Sequence, residues 1–285
     1  MRVWRRLLLL ALALTAAACE RVVNVTVPDS PPRLVVEARL ERLRTAVSGT
    51  QRIRLTTTDR YFSSAPPPPA RGAVVRVVDD SGRVVPFAEV SAEPGTYETT
   101  VFVINLGRTY TLQITYAGQE FRSTETTTSG VAIDSLWFIE RIANVAPTAG
   151  LRATIGLRDP AGVKNFYLWD QFVDGRRIVR PDSLGYYRVV ASDDLSDGTR
   201  IRRYQPYDGV IVTGGQEVRV RQVAISEQAF RYYNALSEQG LNDGSPFGVP
   251  PSNLRGNVAN LTNPSGQALG YFIVAEVTEV ARTVP

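Results

Sequence analysis

An all-β fold, two β-sandwich domains with one short helix in the second, is what this sequence predicts, and three observations predict it. Apolar and polar residues alternate with period two through most of the chain after Arg33, turn residues interrupt that alternation at short intervals, and only one stretch carries helical spacing. Many short strands at this spacing belong to sandwiches.

The alternation is clearest where Tyr110, Leu112, Ile114 and Tyr116 interleave with Thr109, Thr111, Gln113 and Thr115, which is the signature of a half-buried strand. Comparable strands are expected at 34–40, 51–57, 73–79, 96–101 and 120–126. Asp80-Ser81-Gly82, Pro94-Gly95, Leu106-Gly107 and Ala117-Gly118 supply the turns between them. The run Pro66 to Pro69 lacks the N–H groups of a central strand and reads as a stiff crossover. The series pauses at Ser129-Gly130, where a domain boundary is expected. A second set then follows at 133–140, 151–157, 165–173, 186–191, 217–224 and 269–280.

The single helix is expected over 226–239. Ser226 can cap its start, Phe230, Tyr233 and Leu236 fall on one face, and Gly240 stands where a terminating glycine belongs. A Gly, Pro, Asn and Ser-rich loop, 240–267, separates it from the last strand. Loops of this length are usually functional, so it is the expected contact surface.

The first eighteen residues have a different character. Arg2, Arg5 and Arg6 precede an apolar stretch, Leu7 to Leu14, too short to span a bilayer, and Ala16-Ala17-Ala18 lead to Cys19, the one cysteine of the chain. The segment resembles a bacterial lipobox, with Ala16 where Leu is commoner. The resemblance implies a lipoprotein signal peptide over 1–18, acylation of Cys19, a tether over 19–32, and attachment to a membrane through the lipid. Three of the 32 Lys and Arg residues lie in this leader, so the remainder nearly balances the 28 Asp and Glu. Without a basic block, nucleic acid is not an expected partner.

The chain has no histidine. That excludes Ser-His-Asp and Cys-His catalysis and removes the commonest metal ligand. No cofactor is expected, and the chain is expected not to be an enzyme. Asp193, Asp194 and Asp197 form the best candidate for a hard cation, because carboxylates cluster there around a turn. They lack the spacing of a calcium-binding helical loop, and Asp197-Gly198 is also an ordinary turn signal. Trp137, Trp169, Tyr186, Tyr187, Tyr204 and Tyr207 could stack on sugars, although aromatic residues in strands more often fill a core. A pair of carboxylates for glycoside hydrolysis is a third reading, but nothing in the sequence sets two acids at a working distance.

A set of short motifs runs in order from Cys19-Glu20 through Val27-Pro28, Arg33-Leu34-Val35-Val36-Glu37, Gly72-Ala73-Val74-Val75, Gly95-Thr96-Tyr97 and Gly107-Arg108-Thr109-Tyr110 to Ile133-Asp134-Ser135-Leu136. Phe230-Arg231-Tyr232-Tyr233, Pro250-Pro251-Ser252-Asn253 and Leu269-Gly270-Tyr271-Phe272 complete it. Together they resemble the Bacteroidota outer-membrane lipoproteins of domain-of-unknown-function family 4249. That resemblance implies a cell-envelope lipoprotein of the outer membrane, accessory to a TonB-dependent receptor and with no catalytic residues to carry over. A glycan or peptide ligand is the expected small partner. Residues 33–129 are also similar to immunoglobulin-like and carboxypeptidase-regulatory-like sandwiches, and 130–285 form the second β-rich domain.

Overall fold

The computed structural model describes residues 31–46, 49–60, 63–141, 149–179, 189–240 and 254–285. The chain divides into two compact units, residues 1–31 with 60–64 and residues 32–59 with 65–285, and the second holds every described strand. The expected signal peptide, Cys19 and most of the tether lie outside the described residues.

In chain order the strands are β1 (Leu34–Leu43), β2 (Gln51–Thr57), β3 (Val74–Asp79), β4 (Val84–Glu89), β5 (Thr96–Thr99), β6 (Thr109–Tyr116), β7 (Gln119–Thr126) and β8 (Ile133–Arg141). Then come β9 (Gly150–Arg158), β10 (Phe166–Val173), β11 (Arg176–Arg177), β12 (Val190–Ser192), β13 (Arg200–Tyr204) and β14 (Glu217–Ala224). The helix α1 (Glu227–Gly240) precedes β15 (Ala259–Asn260) and β16 (Leu269–Thr283). The protein is all-β, with its sheets stacked as sandwiches.

The alternation sets each core. On β2, Gln51, Ile53 and Leu55 are buried while Arg52 and Arg54 face solvent. Ile53 and Leu55 join Leu34, Val36 and Leu40 of β1 against Val77, Leu112, Ile114 and Phe121 of the opposing layer. Each such side chain contributes ~1.5–3 kcal/mol by leaving water. Strand β4 links the layers, because Val84 to Phe87 pair with β3 while Ala88 and Glu89 pair with β5. In a second core, Leu136, Ile155 and Leu157 of β8 and β9 pack on Tyr167, Trp169, Val218 and Val220 of β10 and β14.

The final strand joins the regions on either side of the expected boundary at 129/130. Its first part pairs in parallel with β1, from Val35 opposite Leu269 to Leu43 opposite Val277. Its last part pairs with β14. Phe272 and Val274 thereby complete the first core and Val280 reaches the second. Between them on the same face stand two polar residues, Glu276 and Thr278, and the connecting chain crosses there. Glu276 Oε2 accepts the Gly130 N–H at 2.8 Å, and the Thr278 hydroxyl donates to the Val131 carbonyl at 3.0 Å. Gln222 donates to the same carbonyl at 2.7 Å. The crossing is thus fixed by buried hydrogen bonds, which are costly to leave unmade.

On the other face of β16, Tyr271, Ile273, Ala275 and Val277 carry α1. Ser226 caps it as expected, its Oγ accepting the Ala229 N–H at 3.2 Å. The buried face differs from the expected one: Ala229, Phe230, Tyr232 and Tyr233 pack on the sheet, while Leu236 is 43% exposed. The helix sits over the sheet through its first two turns, so its later apolar residue has no surface to meet.

Gly270 explains part of one motif. Its φ is +84°, and a Cβ there would lie 2.1 Å from the Val36 carbonyl oxygen. Only glycine lets β16 enter beside β1 at this point.

Candidate functional site

The acidic turn was the first candidate. Asp193 Oδ2 accepts the Asn165 N–H at 2.7 Å, and the Asp193 carbonyl accepts the Ser196 N–H at 2.7 Å, which tightens the turn. Asp197 Oδ1 accepts the Gly162 N–H at 2.8 Å. Asp159, just past the end of β9, joins them: its Oδ2 accepts the Gly198 N–H at 3.2 Å, and its Oδ1 accepts the Tyr167 hydroxyl. One oxygen from each of Asp159, Asp193 and Asp197 lies within 4.8 Å of the others. Asp194, expected with them, is placed apart, accepting from the Ser192 hydroxyl at 2.6 Å and pairing with Lys164 at 3.1 Å. The Ser192 hydrogen bond and Lys164 hold its carboxyl below the usual carboxylate range. Burial, together with the neighbouring Asp159, raises the Tyr167 hydroxyl well above its ordinary value.

Oxygen donors so close could hold a hard cation. Each of the three carboxylates also already ties a backbone amide of one loop to another, so the cluster has a structural task of its own: it joins residues 159–165 to 192–198. Asp159 had no signal in the sequence because it stands far upstream and is brought in by strand pairing.

The aromatic candidates separate. Trp169 and Tyr207 are buried, Trp169 stacks on Tyr167 at 5.5 Å and meets Tyr204 at 4.7 Å, and the Tyr207 hydroxyl donates to the Trp169 carbonyl at 3.0 Å. These three fill the second core. Tyr186 and Tyr187 lie outside the described residues. Trp137 belongs to no core cluster: it is half-buried on the outer face of the three-stranded sheet β13-β9-β8.

That outer face is irregular at one point. Ile133 and Ser135 of β8 oppose Leu157 and Gly156 of β9, so β8 spends an extra residue, Asp134. On the other side, Ile201 and Tyr204 of β13 oppose Leu157 and Ile155, again one residue too many, and Arg202 and Arg203 both fall opposite Gly156. Two bulges therefore flank one glycine. A Cβ on Gly156 would lie 3.3 Å from the six-membered ring of Trp137 and 2.8 Å from Ser135 Oγ, so the indole rests over bare backbone. Around it is an open depression of about 380 Å³ lined by Asp134, Ser135, Trp137, Arg200, Arg202 and Arg203. Arg158 stands opposite Arg200 across the ladder. These four arginines are exposed, and their guanidinium groups make no hydrogen bond or ion pair among the described residues.

A second polar group lies on the helix-bearing face of the main sheet. Asp170, with its side chain 1% exposed, accepts from Arg39 and from Arg177 Nε at 3.0 Å, while Arg221 pairs with Glu41 and Glu279. Burial pushes the Asp170 carboxyl upward, but Arg39 and Arg177 outweigh it and hold the group below the usual range. Every carboxylate here is matched by a guanidinium.

Of the long loop, residues 254–267 are described. Asn257 imitates a strand partner, exchanging 2.8 Å bonds with the Phe272 backbone in both directions, and β15 pairs with β7. Beside it Arg33 donates to the Gln267 carbonyl and helps line a depression of about 560 Å³.

A family model described as "Domain of unknown function (DUF4249)" matches residues 20–281. The chain belongs to that family. The matched stretch begins one residue after Cys19 and covers both cores, α1 and nearly all of β16. None of the curated proteins matches. Among solved structures, a DUF4785 family protein from Legionella pneumophila subsp. pneumophila str. Philadelphia 1 is similar at 7% identity and a TM-score of 0.22. The likeness covers 67% of this chain and 52% of that one, so this chain spans about half of that protein's length. It is too slight to bear on fold or function.

Proposed function

We propose that the chain is a non-enzymatic lipoprotein of the outer membrane, held there through Cys19 and acting beside a TonB-dependent transporter, by docking on it or by capturing its ligand. One observation carries this reading: a charged, apolar, small-residue leader ends at the sole cysteine, and the family-matched body starts at the next residue. Several acyl chains on one cysteine, each methylene contributing about 0.8 kcal/mol, would hold the body firmly at a lipid surface. The described part of the 240–267 loop offers one contact surface, and the arginine-lined face of β13-β9-β8 offers another.

Extraction in mild detergent followed by affinity purification tests the partnership. The expected result is co-purification with an outer-membrane barrel protein. Repeated recovery as a free monomer would overturn the docking form of the proposal.

A second reading, a stand-alone polysaccharide-binding lipoprotein, is favoured by the half-buried Trp137, which stands outside the core clusters and borders an open depression. Affinity electrophoresis on a glycan panel separates the two, since the stand-alone module is retarded by a glycan with no barrel protein present.

A further inference from the structure

We infer that the outer face of β13-β9-β8 is a binding site for an anionic saccharide, with Trp137 as the stacking surface and Arg158, Arg200, Arg202 and Arg203 as the groups that take its carboxylates. The inference deepens the ligand-capture form of the reading above, and it holds whether or not a transporter is the partner.

Three independent features of the face converge on it. The first is backbone geometry. A bulge gives up ladder hydrogen bonds and re-aims side chains, and here both neighbours of β9 bulge at the same place, Leu157 and Gly156. The extra residues are the ones that line the depression: Asp134 on one side, Arg202 and Arg203 on the other. An ordinary alternation would have sent one of two successive arginines inward; the bulge keeps both outside.

The second feature is charge. Arg158 and Arg200 stand directly opposite each other, an arrangement that destabilises a sheet, and nothing of opposite sign bonds to either among the described residues. Asp134 is the one acidic residue lining the depression, against three arginines. By contrast, Arg39 is matched by Asp170 and Glu41, and Arg177 by Asp170. A guanidinium presents a planar fork that fits a carboxylate in two parallel bonds, so a row of unmatched forks favours a ligand with repeated carboxylates.

The third feature is the indole. Gly156 lets the Trp137 ring lie against the strand as a fixed platform while the same ring borders the open depression. An immobilised aromatic face offers apolar area to the C–H face of a pyranose ring at little cost in entropy. An acidic peptide would satisfy the arginines alone. A ring that carries carboxylates, as in a uronic-acid oligosaccharide, uses both the arginines and the platform.

The test is calorimetric titration of the full chain in detergent micelles with oligogalacturonate, a neutral maltooligosaccharide and poly-glutamate. Oligogalacturonate is expected to bind, with affinity falling as salt is raised, and the neutral sugar to bind about tenfold or more weaker. The double variant Arg202→Ala, Arg203→Ala, both exposed positions, is expected to lose about tenfold or more in affinity for oligogalacturonate, and Trp137→Ala a comparable amount. No binding of oligogalacturonate, equal binding by the double variant, or poly-glutamate binding as tightly as the sugar acid would each overturn the proposal. The lipid anchor is read separately, from the mass of the N-terminal peptide, so failure here leaves the anchored reading standing and the reverse also holds.

Discussion

Arg158 and Asp159 are neighbours in sequence and stand in opposite circumstances. Asp159 is buried, and both its oxygens accept hydrogen bonds, one from Tyr167 and one from Gly198. Arg158 is exposed and faces Arg200, and its guanidinium bonds to nothing among the described residues. A similar contrast separates other groups among the described residues. Asp170, Glu276 and Asp193 hold strands and crossings together, whereas the arginines over Gly156 hold nothing. A buried carboxylate that is hydrogen-bonded or ion-paired is costly to strand, whereas exposed charges that crowd their own kind in water add nothing to stability.

The sharpest way to break this contrast is at Asp170. Asp170→Ala leaves Arg177 without its carboxylate and Arg39 with Glu41 alone, and urea denaturation is expected to show a loss of about 3–5 kcal/mol. A loss within error would mean that the matched charges are not structural. The next test is the neighbouring pair itself. Asp159→Ala strands the Tyr167 hydroxyl and the Gly198 amide and is expected to cost about 1–3 kcal/mol. Arg158→Ala should change the same midpoint by no more than about 0.5 kcal/mol. Similar losses from both would erase the distinction.

Glu125 gives a smaller effect that depends on pH. It is buried, and burial lifts its carboxyl to about 6 from an ordinary 4.5, with Ser226 and Asn257 partly opposing the rise. The folded chain therefore holds this proton more tightly than the unfolded chain. The associated stability is complete below about 4.5 and is lost as pH rises through about 6. Glu125→Gln is expected to be more stable than the parent by about 1–2 kcal/mol at neutral and alkaline pH, with the gap closing towards pH 4. Thermal melts across that range measure it, and a gap independent of pH would place Glu125 with the matched carboxylates instead.

Much of this architecture was legible from alternation alone. Gln51–Thr57, Thr109–Tyr116 and Glu217–Ala224 fall where period two puts them. Strand β4 escaped because Pro86 sits inside it, tolerated where it faces out opposite Arg76. Strand β13 escaped because three arginines in five residues, offset by a bulge, show no alternation. The union of β1 with β16 is a parallel pairing of the two ends of the body, which no local pattern reports. The sites were less legible for the same reason. Asp193 and Asp197 were visible as a cluster, but Asp159 arrives by register, and whether Trp137 faces core or solvent depends on which side of β8 the bulge leaves it. Of the six aromatic candidates the fold puts Trp169, Tyr204 and Tyr207 in the second core and leaves Trp137 outside it, and the arginines, spread over 158–203, show no local pattern.

The claim on which the anchored reading rests is chemical, and it is read most directly from the mass of the N-terminal peptide of the protein extracted from the membranes that make it. The expected peptide begins at Cys19 and carries acyl chains on that residue, with 1–18 gone. An unmodified thiol at Cys19, or a peptide still beginning at Met1, would contradict it.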